Sequence, residues 1–154
     1  MKSILLLMIC IASLCGCATP SQLSADAEVR RLCAIDGGIK VYETVKLPEN
    51  MFNQWGQIAF FRPNEGENAL GPSYIFKHEI EWLIKAREAS SHELRMMREH
   101  FVVKRVLDGK ILGETVVYGR GGGDVPGPWH PSSYICPDLS SAGSEALFKQ
   151  IFLK

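Results

Sequence analysis

The chain has 154 residues, 46% of them hydrophobic and 22% charged, with 17 basic side chains balanced by 17 acidic ones. Such a length fits one domain with a sizeable core. The neutral balance removes any electrostatic basis for a nucleic-acid partner or for attraction to an anionic membrane surface.

At the start of the chain, Lys2 supplies a minimal positive charge and Ile4 to Leu14 is almost wholly apolar. That run falls short of the roughly 20 apolar residues that span a bilayer, so it reads as the core of an export signal. No second transmembrane segment and no internal repeat follows. Small Gly16 sits just before Cys17, where a peptidase needs a narrow side chain. The stretch Leu14-Cys15-Gly16-Cys17 resembles a bacterial lipobox. The resemblance implies cleavage before Cys17 and acylation of its thiol and amine. Several acyl chains on one residue anchor stably, because each buried CH₂ contributes about 0.8 kcal/mol. Ala18 stands where an Asp tends to retain lipoproteins of Gram-negative enteric bacteria in the inner membrane. The implied location is the outer membrane, facing the periplasm, with the membrane as one partner through the anchor. An ordinary cleaved secretory peptide is the alternative. Residues 1–16 are thus expected to be the signal, 17–23 a lipidated tether, and 24–154 one globular domain.

Cys10 and Cys15 leave with such a signal, and Cys17 carries lipid. Cys33 and Cys136 remain, an even pair in an oxidising compartment, and are expected to form a disulfide. A thiol nucleophile at either position is the functional alternative, but no cysteine-hydrolase context surrounds them.

Ser24 or Asp26 is expected to cap a helix running to about Ala34, with Val29, Leu32 and Cys33 on one side. Asp36-Gly37-Gly38 stops it, since glycine accepts the left-handed conformation of a helix C-terminus. Ile39 to Val45 alternates as a strand. Pro48 to Trp55 fits one or two helical turns, Gln57 to Phe61 a short strand, and Arg62 to Pro72 a polar loop. From Tyr74 to Lys85, strict alternation favours a strand over a helix. Ala86 to Ser91 is then a connection.

Asp108-Gly109 tolerates the positive φ angles of a two-residue hairpin turn. Pairing about it sets Phe101 opposite Val116, Val103 opposite Glu114 and Arg105 opposite Leu112. One face then carries Met97, Phe101, Val103, Leu107, Leu112, Val116 and Tyr118, with Glu114 diagonal to Arg105 and able to pair with it. The other face, with Arg98, His100, Lys104 and Thr115, is expected to be wet. Ser144 to Phe152 suggests a short helix, or else a last strand at Leu147 to Leu153. The expected fold class is α+β: a small antiparallel sheet of about four strands with an N-terminal helix and a short C-terminal helix or strand.

The segment from Gly119 to Pro137 combines glycines, which permit unusual dihedrals, with prolines that stiffen the remainder. Arg120, Asp124, Trp129 and His130 make it the candidate binding loop, suited to ligand or protein recognition. The alternative is a structural Ω-type loop with Trp129 plugging the core and Cys136 pinning its end. No phosphate-loop triplet is present. His92 and His100 form no metal signature, and two cysteines cannot make a four-cysteine zinc site, so neither metal nor cofactor is expected. His78 reads as a hydrogen-bonded core or edge residue rather than a ligand. Glu79 and Glu81 read as a solvated face. No Gly-x-Ser-x-Gly elbow occurs, and no catalytic residue is assigned.

The expected function is a non-catalytic, lipid-anchored domain that binds an envelope protein, a glycan or another cell-wall component through the loop at 119–131. An envelope hydrolase using His130 and Asp124 is one alternative. A purely structural tethering lipoprotein is the other.

Overall fold

The structure, a computed structural model, describes residues 18–86, 92–125 and 130–154. Residues 1–17, residues 87–91 of the expected connection at 86–91, and the loop positions 126–129 lie outside the described residues, and Cys17 and Trp129 with them.

Helix α1 spans Pro20–Asp36. It starts four residues before Ser24, inside the expected tether. Thr19 is the N-cap: its hydroxyl accepts from the Gln22 backbone N–H at 3.2 Å, and Gln22 Oε1 accepts from the Thr19 N–H at 2.7 Å. That reciprocal capping box, with Pro20 at the first helical position, satisfies donors that the helix start leaves open. At the far end Gly37 is extended, and it is Gly38 that takes a positive φ of 106°. A Cβ on Gly37 would lie 2.6 Å from the Cys33 carbonyl oxygen.

Strand β1 is Gly38–Val41 and β2 is Val45–Lys46, so the single expected strand is broken in two. The chain then makes a 3-10 turn at Glu49–Met51, an isolated bridge between Phe52 and Ile58 where a short strand was expected, and a second 3-10 stretch at Pro63–Asn68. Three long strands follow: β3 Tyr74–Ile84, β4 Arg95–Arg105 and β5 Ile111–Gly121. Strand β6 is Ser133–Cys136. The short helix α2 (Leu139–Ala142), helix α3 (Ser144–Ile151) and the two-residue strand β7 (Phe152–Leu153) close the chain.

The main sheet is antiparallel in the order β1-β5-β4-β3, with β6 also on β5; β2 and β7 form a separate parallel pair. β1 occupies residues 113–116 of β5 and β6 occupies residues 118–121, end to end along one edge. This is the expected α+β class. β3 forms the opposite edge, and His78 on it is hydrogen-bonded as expected, its Nε2 2.8 Å from Glu99 and its ring stacked on Phe101 at 4.3 Å.

The hairpin register differs from the expected one, and the cause is local. Arg105 N donates to Lys110 O at 2.8 Å, so the turn holds the four residues 106–109, with Gly109 at φ 70°. That shift of two keeps the paired side chains on their expected faces but moves Leu107, expected to help cover the core, into the turn, where it is 91% exposed. Leu112 then bulges as an extra residue: Lys104 faces Ile111, but Val103 faces Gly113 and Phe101 faces Thr115. A one-residue slip sends the rest of β5 to the opposite face. Two amides hold the bulge, since Tyr42 N and Glu43 N both donate to Leu112 O at 2.8 and 3.0 Å.

The slip decides the layering. Thr115, expected on the wet face, is fully buried and donates to the Ala142 carbonyl at 2.6 Å. Phe101, Val103 and Leu112 pack with Leu147, Phe148 and Ile151 of α3. Val116 and Tyr118 turn the other way and pack, with Met96, against Val29 of α1. β5 is therefore covered on both sides by helices, and the expectation of one wet face fails there. Glu114 pairs with His100 (2.8 Å) and accepts from the Tyr42 hydroxyl (2.5 Å), not from Arg105. Gly113 is required by the same packing. A Cβ there would sit 3.0 Å from Ile151 Cδ1 and 3.0 Å from the Lys40 carbonyl. Gly113→Ala is expected to cost about 1–3 kcal/mol, the usual range for overpacking, in a urea melt; no change would show that α3 can move away freely.

Arg105 instead clamps the hairpin. It donates to Asp108 at 3.0 and 2.6 Å and to Glu43 at 2.6 Å. The Arg105 hydrogen bonds outweigh the opposing desolvation and draw the Asp108 carboxyl from 3.8 to about 2; Glu43 is lowered for the same reason. A carboxyl whose folded value lies below its unfolded one stabilises the fold above the unfolded value and loses that contribution as pH falls through the folded one. Stability is expected to fall between about pH 4 and pH 2 as Asp108 protonates. Asp108→Asn should flatten that limb in urea titrations; an identical limb in both proteins would refute the assignment.

Candidate functional site

The predicted loop is built into the fold by its own polar residues. Arg120 lies in β5 with its side chain only 5% exposed. It donates to both carboxylate oxygens of Asp26 on α1, at 2.8 and 3.1 Å, and to Gly122 O and Ser132 Oγ at 3.1 and 2.7 Å. Gln22 uses its remaining donors on Asp124 Oδ1 (2.8 Å) and Ser132 Oγ (2.9 Å), while Ser132 N donates to Asp124 Oδ2 at 2.8 Å. The Thr19 hydroxyl reaches Gly123 O at 2.7 Å. Gly122 has φ 71°, and a Cβ there would come within 2.2 Å of the Glu93 carbonyl. Desolvation raises the Asp124 carboxyl, but hydrogen bonds from Ser132 and Gln22 and the charge of Arg120 overcome it and hold the group below its ordinary value. An aspartate held this way stays ionised and is a poor proton donor.

Arg120 and Asp124 are thus brought together, but around Ser132 and facing α1. His130 is exposed at the surface. Cys33 and Cys136 meet beside this region, with sulfurs 2.03 Å apart and Cα atoms 5.9 Å apart, joining α1 to β6. Among the described residues no group of three or more His, Cys, Asp or Glu side chains is placed to hold a metal.

An apolar concavity lies elsewhere, between the segment around Phe52–Phe61 and α3. It is a cleft of about 310 Å³. Ile58, Phe148 and Phe152 are its buried apolar lining, and Phe52 and Phe61 are half-buried beside them. A polar line crosses one wall: Asn53 Nδ2 donates to Gln57 Oε1 at 3.0 Å, and Gln57 Nε2 donates to Glu145 Oε2 at 3.0 Å. Glu145 sits in the first turn of α3, where the helix dipole favours a negative charge, and Lys149 lies one turn further along the same wall.

Asn53 also builds the turn at the cleft's mouth. Its Oδ1 accepts from Trp55 N (3.0 Å) and Gln57 N (2.9 Å), and Gly56 supplies φ 74°. This Asx turn fixes Trp55 between them with 73% of its surface exposed. The sequence held a signal for it, an Asn-x-Trp-Gly turn, which reading Pro48 to Trp55 as helical turns passed over. Glu145 and Lys149 carried no such signal, because a helix face becomes a cleft wall only once a distant segment packs against it.

The fold and these two regions define a disulfide-linked α+β domain with an apolar cleft. No protein-family model matches the chain, and no curated protein or solved structure matches it. Among the described residues no helix is long and apolar enough to cross a membrane.

Proposed function

We propose that the protein is a non-catalytic interaction domain, held by lipid on Cys17 at the periplasmic side of an outer membrane, and that its binding site is the cleft together with the turn that carries Trp55 and whose Asn53, Gly56 and Gln57 line it. The observation that carries this reading is the exposed Trp55, set on a hydrogen-bonded turn beside an apolar cleft of about 310 Å³. A large aromatic left in water next to a pocket is the usual composition of a binding hot spot. The partner that fits is a protein segment placing an apolar side chain in the cleft and a basic or amide group against Glu145 and Gln57. The lipobox resemblance supports the anchor and the compartment, and the joined Cys33 and Cys136 agree with an oxidising one.

The hydrolase reading draws no support from the loop, since both Asp124 oxygens are engaged by Gln22 and Ser132. The test begins with the intact mass of protein extracted from native membranes, with and without reduction and alkylation. A chain starting at Cys17 with added acyl mass is expected, with no free thiols before reduction. A photocrosslinking residue at position 55 should then give a discrete adduct with one envelope protein. For that partner Trp55→Ala should weaken binding by about 2 kcal/mol or more. No adduct from the acylated protein would rule out the cleft as the docking site.

A further inference from the structure

The start of α1 leaves almost no tether. Thr19 is fixed by its capping box and by its bond to Gly123 O. Two residue steps separate it from Cys17, a reach of about 7 Å at full extension. An acyl group on Cys17 therefore holds one particular end of the domain at the bilayer surface. That end is where β3 and β5 finish and β4 begins, because Ile84 pairs with Met96, and Arg95 with Gly121.

The same end carries uncovered apolar side chains. Leu23 on the first turns of α1 is 58% exposed, and Val125 just beyond Asp124 is 61% exposed. Trp82, Leu83 and Ile84, at the end of the edge strand β3, are 45%, 37% and 38% exposed. Ile84, paired with Met96, shares a shallow cleft with Ser21, Ser24 and Ala25 of α1, while Trp82, paired with Met97 across an irregularity in the strand, lies on the other face of the same strand end, so apolar side chains flank that end on both sides. Trp82 is suited to a water–lipid boundary, where an indole keeps its ring in apolar surroundings and its N–H in water.

We propose that this end is a lipid-contact surface, and that Leu23, Val125 and the Trp82–Ile84 strand end dip into the interfacial layer of the membrane that holds the anchor. The inference rests on the lipoprotein reading given above. Neutral overall charge is no obstacle, since the contact is apolar. The anchor makes it intramolecular, so a surface too weak to bind a bilayer by itself is occupied at high effective concentration. The domain is then oriented rather than free to swivel.

Hydrogen exchange of the wild-type acylated protein in phosphatidylethanolamine–phosphatidylglycerol vesicles tests this, compared with a soluble chain starting at residue 18. Exchange around Leu23, across Trp82–Ile84 and at Val125 is expected to slow severalfold on the vesicles, while the hairpin tip at Leu107 stays unchanged. Leu23→Lys with Val125→Lys should abolish the slowing without removing the acyl mass. Equal exchange in the two forms of a protein whose mass shows acylation would overturn the surface alone. A native mass without acyl groups would overturn the anchor, and the orientation with it.

Discussion

Serine at both Cys33 and Cys136 is expected to lower the free energy of unfolding by about 2–5 kcal/mol. The pair lies 103 residues apart in sequence, and its Cα atoms are 5.9 Å apart. In the chain-entropy model, closing a loop of about 100 residues in the unfolded chain contributes up to roughly 4.7 kcal/mol, although native strain and residual structure lower this in practice. The bond does more than shorten the unfolded chain. α1 meets the sheet through a small cluster, with Val29 against Met96, Val116 and Tyr118. The disulfide holds β6 under the same helix. Equilibrium urea melts of the double variant, and of the wild type under reductant, should show the same loss. Unchanged stability would mean that the α1 contacts suffice without the bond.

The second large effect is expected from a charge. Asp26→Ala should cost about 3–5 kcal/mol, because it leaves the Arg120 guanidinium buried without its counter-ion. Its other acceptors, Gly122 O and Ser132 Oγ, are neutral. Arg120→Met should cost less. The side chain of Asp26 is 19% exposed against 5% for Arg120, so a stranded carboxylate reaches water where a stranded guanidinium does not. Asp26→Leu combined with Arg120→Met should recover most of the loss, since apolar side chains of similar bulk avoid desolvating two charges. Urea melts of the three proteins decide the matter. A loss in Asp26→Ala no greater than in Arg120→Met would contradict this ordering.

These two predictions mark what was legible in the sequence. The cysteine pairing followed from counting residues against a compartment. The three long strands followed from alternation and from Asp108-Gly109, and the fold class followed from them. The register was not legible. It turns on one extra residue, Leu112, stabilised by the amides of Tyr42 and Glu43 about 70 positions earlier. Nothing in the local pattern of β5 announces that partnership. Arg120 and Asp124 looked like recognition residues because charges in a glycine-rich loop usually face water. Their partners sit on α1, about 100 residues away in sequence. The helix start, by contrast, was written locally as Thr19-Pro20-Ser21-Gln22, and a tether was read over it. The cleft arises from two segments nearly 90 residues apart, Gln57 and Glu145, that become neighbours only in the folded chain.

The position of β5 has a consequence for a chain that is made from its N-terminus. Among the described residues β1 and β6 each have their strand partner in β5 alone, and α1 docks on β5 and β6. Until Ile111–Gly121 has emerged, the pairing open to the main sheet among the described residues is β3 with β4, and a two-stranded pair is marginal in water. A chain interrupted before residue 111 lacks the strand on which β1, β4, β6 and α1 come together.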